Sequence, residues 1–371
     1  MLWSTSLPRL ALLFVSLLDF CLADAVADLA TKGRPNLDAQ LASSTTCNKA
    51  NLQVRKEWSA LSATERKAYI SAVHCLIASP SKLDATQYPG AKTRYDDFVV
   101  VHMKQTMSIH GTGSFLTWHR YFTWAYEQAL RTECGYQGTQ PYWDWGMWAA
   151  DPETSPIFDG SDTSMSGNGE KIAHQGTFTA PAGNGGGCVL SGPFKNFTVN
   201  LGPVPGATQA QPAPPPNPRS DGFGYNPRCL RRDLSNQLTQ RYTKTSDIVK
   251  LIQNAASVGP FQDRMQAGDG VHGAAHFTIS GDPGSDFYVS PGDPAFWLLH
   301  SMIDRVWYIW QIQDLKTRMN QIAGGTSMFG GGRQQSLDDI VDLEVVGVNR
   351  KTYKIRDLTS VVDGPFCYVY E

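Results

Sequence analysis

Two stretches decide the fold of this chain of 371 residues: FLTWHRYF at residues 115–122 and DPAFWLLHSMID at residues 293–304. In each stretch a histidine follows a phenylalanine by four residues, as Phe115/His119 and Phe296/His300. Positions four apart share one face of a helix. We therefore expect two long helices that face each other as similar half-sites, each presenting an imidazole beside an aromatic ring.

Six of the eight histidines fall into two groups of three. The first group is His102, His110 and His119, which we place on one helix, in the following loop and on the next helix. Glycine tolerates positive φ, so Gly111 and Gly113 allow that loop to fold back. Taken alone, this group has an alternative interpretation as three unrelated histidines on helix faces.

The second group is His272, His276 and His300. The i, i+4 spacing of His272 and His276 places two imidazoles on one helix face, close enough to share a metal ion. His300 can complete a three-nitrogen set from another helix. Zinc proteases use the same spacing but need a glutamate directly after the first histidine, where this chain has Gly273. An HxxxH pair alone is more often structural, so the prediction rests on both groups together.

Neither group contains a cysteine or an acidic residue at matching intervals. A site of neutral imidazoles alone suits late first-row metals, copper above all. The sequence therefore favours a copper pair and oxygen chemistry over a zinc hydrolase. The two remaining histidines fit ordinary roles, His74 as a packed residue beside an apolar helix face and His174 as a solvated loop residue.

Helix signals surround both groups. Ser62 and Glu65 form a capping box before a run with helical periodicity. Further helices are predicted from Tyr95 to about Met103, from an N-cap at Ser114 to about Leu130, across His272 and His276, and from an N-cap at Asp293 to about Gln313. Short strands are predicted at residues 343–346 and 367–370.

Residues 160–230 differ from the rest, being rich in Gly, Pro, Ser and Asn, with an extended polyproline segment at residues 214–216. A linker between two domains is one interpretation. We favour a long loop excursion from a single domain, residues 26–371, because both histidine groups must pack together.

The first 25 residues have the features of a secretory signal peptide: a positive charge at Arg9, an apolar run too short to span a bilayer, and a small-x-small cleavage site. A buried N-terminal helix is the alternative. Asn196 lies in a sequon and is a candidate N-glycosylation site. Six cysteines without a CxxC pair remain after cleavage and predict three disulfides of open connectivity in a secreted, extracellular protein: Cys47, Cys75, Cys134, Cys188, Cys229 and Cys367.

The charge of the chain limits its partners. The formal net charge is −2, without a long run of either sign. This balance argues against nucleic acid or an anionic membrane as the main partner. It leaves the oligomeric state open.

The two opening stretches resemble the two copper-site signatures of the tyrosinase and catechol oxidase family, in particular its short, secreted fungal members. The resemblance extends from about Asn51 to Tyr370 and includes PYWDW at residues 141–145 and YVY at residues 368–370. It implies a mainly α fold, a four-helix bundle around a dicopper centre with long loops and a few short β-strands. It also implies one copper ion on each histidine group.

The resemblance implies an enzyme that oxidises o-diphenols (catechols) to o-quinones while O2 is reduced to water. Three positions depart from the family pattern. Ser108 stands where many fungal members carry a cysteine bonded to the second histidine, and Leu299 stands where many have a further histidine. Gly273 stands where several tyrosinases have an asparagine that helps a water to take the phenol proton.

Gly273 disfavours phenol hydroxylation, so we expect catechol oxidation. Hydroxylation of monophenols, or action on o-methoxy or o-aminophenols, is the alternative. A hemocyanin-like reversible O2 carrier is the alternative from another class. We expect it less because such carriers cover the site with an extra domain, for which this sequence is too short.

Four residues are predicted to shape the substrate pocket: Gly273 and Phe277 in its wall, Phe287 at its entrance and Phe296 beneath the substrate. Asp304 follows His300 by one helical turn, so we expect its carboxylate to fix the imidazole tautomer. A salt bridge from Asp304 to Arg120 or Arg305 is the alternative.

Overall fold

The structure is a computed structural model that describes residues 9–330 and 332–371, with side chains from residue 25 onward. Within these residues it contains ten α-helices: α1 Arg9–Ser43, α2 Ala63–Ala78, α3 Arg94–Ile109, α4 Phe115–Cys134, α5 Asn236–Tyr242, α6 Thr245–Asn254, α7 Val258–Gln266, α8 Val271–Ile279, α9 Phe296–Gln313 and α10 Leu315–Arg318. The predicted mainly α fold is confirmed.

The strands of the described residues are short: β1 Gln53–Arg55, β2 Gly169–Lys171, β3 Gly186–Val189, β4 Thr198–Val199, β5 Arg228–Cys229, β6 Ile340–Val341, β7 Tyr353–Lys354 and β8 Tyr368–Tyr370. They form two-stranded pairs. β1 and β8 run parallel, with Gln53 opposite Tyr368, and this pair joins the segment after α1 to the C-terminal strand. The pairs β2–β3, β4–β5 and β6–β7 are antiparallel.

Helix α9 lies at the centre of the molecule. Every residue from Phe296 to Ile312 is buried, as expected for a helix that is covered on all sides. It packs against α4, α8, α1 and α6. The rings of Tyr126 on α4 and Trp297 on α9 stack 3.7 Å apart. Helices α3, α4, α8 and α9 carry the predicted histidines and form the bundle around them.

The observed start of a helix agrees with the prediction where a local capping motif determines it. The capping box of Ser62 and Glu65 is present. Helix α9, however, begins at Phe296 and not after an N-cap at Asp293. The Asp293 carboxylate is instead paired with Arg232, 2.7 Å away, and accepts a bond from the backbone N–H of Ala295.

Two further local predictions need correction. Ser114 precedes α4, but its side chain makes no capping bond to the helix, and its hydroxyl donates to the Ser108 carbonyl at 3.3 Å instead. The strand predicted at residues 343–346 is wrong, because Glu344–Val346 forms a 3-10 helix and Glu344 has a φ of 50°.

The predicted three disulfides are confirmed: Cys47–Cys367, Cys75–Cys134 and Cys188–Cys229. The first connects the segment after α1 to the C-terminal strand region, and the second joins α2 to the end of α4. The third lies within the excursion of residues 160–230 and joins β3 to β5.

The N-terminal prediction concerns residues that are only partly described. Residues 1–8 of the predicted signal peptide lie outside the described residues, as do the side chains of residues 9–24, so the peptide stays a prediction. The second half of α1 was not predicted. There Val26, Leu29 and Leu37 are buried, and Asn36 donates to the Ile312 carbonyl of α9. Among the described residues, no helix has the length and apolar character needed to cross a bilayer.

Candidate metal centre

The first histidine trio comes from α3, the turn after it, and α4. His102 and His119 lie on the helices, and His110 is the C-cap of α3. Backbone carbonyls accept a hydrogen bond from each Nδ1, with distances of 2.8 Å from His102 to Tyr288, 3.0 Å from His110 to Thr106 and 2.8 Å from His119 to Phe115. These bonds fix the tautomer that leaves Nε2 free to bind a metal.

The free nitrogens of this trio point into a buried space. Nε2 of His102 and Nε2 of His119 are both buried and have no hydrogen-bond partner among the described residues. Unpartnered buried polar atoms are rare because their desolvation is costly. A metal ion within reach of these nitrogens satisfies them.

The second trio brings three Nε2 atoms together. Nε2 of His276 lies 3.2 Å from Nε2 of His272 and 3.0 Å from Nε2 of His300. If each Nδ1 carries the one proton of a neutral imidazole, no Nε2 has a proton to donate, so these close approaches are not hydrogen bonds. Converging nitrogen lone pairs are instead the arrangement of a three-ligand metal site.

The two trios adjoin each other. In each trio the three ligand atoms lie within 4.8 Å of one another. The rings of His119 and His300, one from each trio, stack with centroids 4.6 Å apart. The rings of His110 and His272 are 6.3 Å apart. The structure therefore joins the two predicted groups into one binuclear site.

Burial keeps the six imidazoles neutral. It lowers the pKa of each, to about 4 for His110 and about 3 for His276. Neighbouring imidazoles lower the pKa of five of the six further, all except His110, because two adjacent positive charges repel each other. Neutral imidazole is the form that binds metal, and a set of imidazole donors without carboxylates suits copper.

Comparison with known proteins identifies the chain. Residues 92–313, more than half of its length, match the common central domain of tyrosinase. The chain belongs to the tyrosinase family. The predicted family and the two histidine trios that can hold its dicopper centre are therefore confirmed.

Fungal tyrosinase-family proteins resemble the chain over most of its length. It is 43% identical to the tyrosinase-like protein orsC of Emericella nidulans, covering 76% of this chain and 80% of that protein. It is 39% identical to the N-acetyl-6-hydroxytryptophan oxidase ivoB of the same organism, covering 88% and 94%. A mutant polyphenol oxidase from Thermothelomyces thermophila has a similar structure, with a TM-score of 0.87, 38% identity and coverage of 94% and 98%.

A cleft of about 610 Å³ leads to the histidines of this tyrosinase-family protein. His110, His272 and His276 are among the residues that line it. Gly273, Phe277 and Phe287, which the sequence placed in the pocket, are among the residues that line it. The ring of Phe287 lies 4.5 Å from the ring of His110, beside the ligands at the cleft wall.

Phe296 occupies a different place from the other three predicted pocket residues. It is buried, and its ring stacks on His300 with centroids 4.1 Å apart. It also contacts the rings of His102 and His276 at 5.7 and 5.8 Å. Phe296 thus packs behind the histidines and joins ligands of both trios.

The predicted role of Asp304 is wrong. Nδ1 of His300 has no partner among the described residues, and the Asp304 carboxylate contacts other groups. It accepts bonds from Arg120 Nε at 2.5 Å, from the Tyr368 hydroxyl at 2.5 Å and from the Tyr370 hydroxyl at 2.6 Å. The alternative of a salt bridge to Arg120 is the one observed, and Asp304 joins α9 to α4 and β8.

Sequence reasoning missed the groups that orient the first trio. The carbonyl of Tyr288 holds His102 from a loop 186 residues further along the chain. The Asp286 carboxylate holds that loop by accepting the backbone N–H groups of Tyr288, Val289 and Val204. Backbone carbonyls carry no side-chain signature, so only the folded chain reveals this contact.

Proposed function

We propose that this protein is a dicopper oxidase that converts catechols to o-quinones while O2 is reduced to water. Two copper ions are held by the two trios, His102, His110 and His119 for one and His272, His276 and His300 for the other. The observation that carries the proposal is the meeting of two imidazole trios beside an open cleft.

When bound, copper supplies the redox chemistry, in which two catechols give four electrons and four protons to one O2, which becomes two waters. The protein positions the reactants. Backbone carbonyls fix three imidazoles, and Phe296 packs both trios together. The cleft brings a phenol ring to His110, His272 and His276.

Catechol oxidation is favoured over monophenol hydroxylation because the position after His272 is Gly273, which has no side chain to hold a proton-accepting water. Among the described residues that line the cleft, the one carboxylate is that of Asp286. It is buried and accepts bonds from three backbone N–H groups. Hydroxylation of monophenols, or action on o-methoxy or o-aminophenols, is the alternative, and the ivoB relative is named as an oxidase of N-acetyl-6-hydroxytryptophan, whose ring carries one hydroxyl group.

Copper content and oxygen uptake test the proposal together. The purified protein should bind two copper ions per chain and consume O2 with catechol, but show little or no uptake with phenol alone. His119→Ala should lose copper and nearly all turnover. The matched control is His74→Ala, which removes a histidine that stacks on Phe194 away from the site and should keep both. Copper-loaded protein without catechol oxidation would refute the proposal.

We also propose that residues 26–371 form one secreted catalytic domain. Three disulfides are typical of oxidising compartments, and Asn196 is exposed, as N-glycosylation requires. Mass spectrometry of the protein from culture medium tests both points. We expect an N-terminus near residue 26 and a loss of mass after glycosidase treatment, and an intact residue 1 would contradict cleavage.

A further inference from the structure

We propose that the preferred substrates are neutral phenols that carry a further apolar ring or chain, and not amino acids or other charged phenols. This inference deepens the proposed function and rests on it. Three properties of the cleft support it: its size, its apolar rim and, among the described residues, the absence of a charged side chain free to pair with a ligand.

The cleft is much larger than one phenol ring. Its volume of about 610 Å³ lies within the range of ~300–1,000 Å³ that is usual for sites of drug-sized ligands. The reacting ring must lie near His272 and His276. Val204, Pro205, Met328 and Phe329 also line the cleft, so a second ring on the substrate has apolar residues to contact.

The rim of the cleft presents apolar side chains to solvent. Phe329 is 85% exposed and Met107 is 39% exposed, and both line the cleft. Phe329 has a φ of 63° and is followed by Gly330 at 75°. A bulky residue seldom adopts this conformation, and exposed apolar side chains around a cleft are typical of a binding surface.

Charge selectivity follows from the lining residues. Apart from the copper ligands, the ionisable groups in the described wall are Tyr288 and the Asp286 carboxylate, which its three backbone N–H donors already satisfy. The polar side chains Thr179, Gln209 and Gln266 are neutral. An ammonium or carboxylate on the part of a substrate that extends along these neutral residues, away from the copper ions, would lose water without gaining an ion pair, which is costly.

Steady-state kinetics of the copper-loaded enzyme test this inference. The probes are 4-methylcatechol, 4-phenylcatechol and L-DOPA. Burying one further ring removes on the order of 100 Å² of apolar surface from water, so we expect KM for 4-phenylcatechol to be at least about tenfold below that for 4-methylcatechol. L-DOPA should have the highest KM.

The outcomes separate this inference from the proposed function. Oxidation of all three catechols with equal KM values, or with the lowest KM for L-DOPA, overturns the inference and leaves catechol oxidation standing. Copper-loaded enzyme that oxidises no catechol overturns both.

Two variants locate the selectivity in the rim. Phe329→Ala should raise the KM ratio of 4-phenylcatechol to 4-methylcatechol several-fold, whereas the control Leu190→Ala, at a 62% exposed side chain that does not line the cleft, should not change it. Met107→Arg adds a positive charge to the rim and should lower KM for 3,4-dihydroxyphenylacetate relative to 4-methylcatechol. Unchanged ratios in both rim variants would contradict the assignment.

Discussion

Replacing Asp304 tests whether this residue stabilises the fold without orienting a metal ligand. The carboxylate is buried and offsets the positive charge of two buried guanidinium groups, those of Arg120 and Arg55. It also accepts the hydroxyl protons of Tyr368 and Tyr370. Asp304→Asn keeps the shape of the side chain but removes the negative charge from this cluster.

The expected loss in the free energy of unfolding depends on the hydrogen bonds and ion pairs that Arg120 and Arg55 keep in the variant. Removing one partner of a buried ion pair destabilises a protein by about 3–5 kcal/mol. Arg120 still donates to the Thr359 carbonyl at 2.6 Å and to Gln311 at 3.1 Å, and Arg55 keeps its ion pair with Glu127. These contacts limit the loss, so we expect the free energy of unfolding to fall by about 3 kcal/mol, the lower end of that range.

Urea unfolding of the copper-free protein, followed by circular dichroism, measures this loss without a contribution from metal binding. The control is Asp338→Asn, whose 56% exposed carboxylate pairs with Lys354 and Arg356 in solvent and should leave the free energy of unfolding nearly unchanged, because water screens such pairs. Asp304→Asn should still bind two copper ions, because its carboxylate does not contact His300. Loss of copper at unchanged stability would show that Asp304 does orient that ligand, and a stability change below about 0.5 kcal/mol would refute the energetic argument.

Three further predictions use other parts of the chain. Gly273→Asn should give measurable O2 uptake with phenol, at a small cost in stability because its Cβ meets a backbone oxygen at 3.0 Å; unchanged inactivity with phenol would contradict the role of this position. Burial lowers the pKa of His174, but bonds to a backbone carbonyl and to Asp233 outweigh it and raise the pKa above its usual value. The stability lost in His174→Asn, measured by urea unfolding, should therefore be greatest below about pH 6.5 and decrease as pH rises through the raised pKa; a loss that grows with pH would refute this sign. Replacing Cys75 and Cys134 by serine opens a loop of 59 residues and should lower the free energy of unfolding by about 4 kcal/mol, and a change below half of that would contradict the loop-entropy estimate.

The sequence predicted what depends on local periodicity. The spacing of His272 and His276 predicted α8, and the capping box of Ser62 and Glu65 predicted the start of α2, because neighbours in sequence determine both features. The start of α9 was predicted too early, since Asp293 pairs with an arginine that lies 61 residues before it.

The candidate site, like the fold, could be predicted from the sequence only in part. The spacing of the six histidines identified them as ligands, whereas no sequence pattern identified the groups that orient them. Asp304 follows His300 by one helical turn, yet its carboxylate turns to α4 and β8, because buried arginine and tyrosine donors are available there. The buried part of α1 was missed because its partners on α9 lie almost 300 residues away in sequence.

The histidines of the first trio bond to neutral backbone carbonyls and not to carboxylates, and this affects the net charge of the site. Among the described contacts, no carboxylate bonds to any of the six imidazoles, and His102, His110 and His119 donate to neutral carbonyl oxygens. If the site holds two copper ions as proposed, their positive charge would not be balanced by the ligands or by their immediate partners. Because electrostatic interactions are stronger in a desolvated site than in water, binding of an anionic oxygen from the cleft would be favoured. Under the proposed function, this charge would promote deprotonation of a catechol without the water-holding side chain that Gly273 lacks.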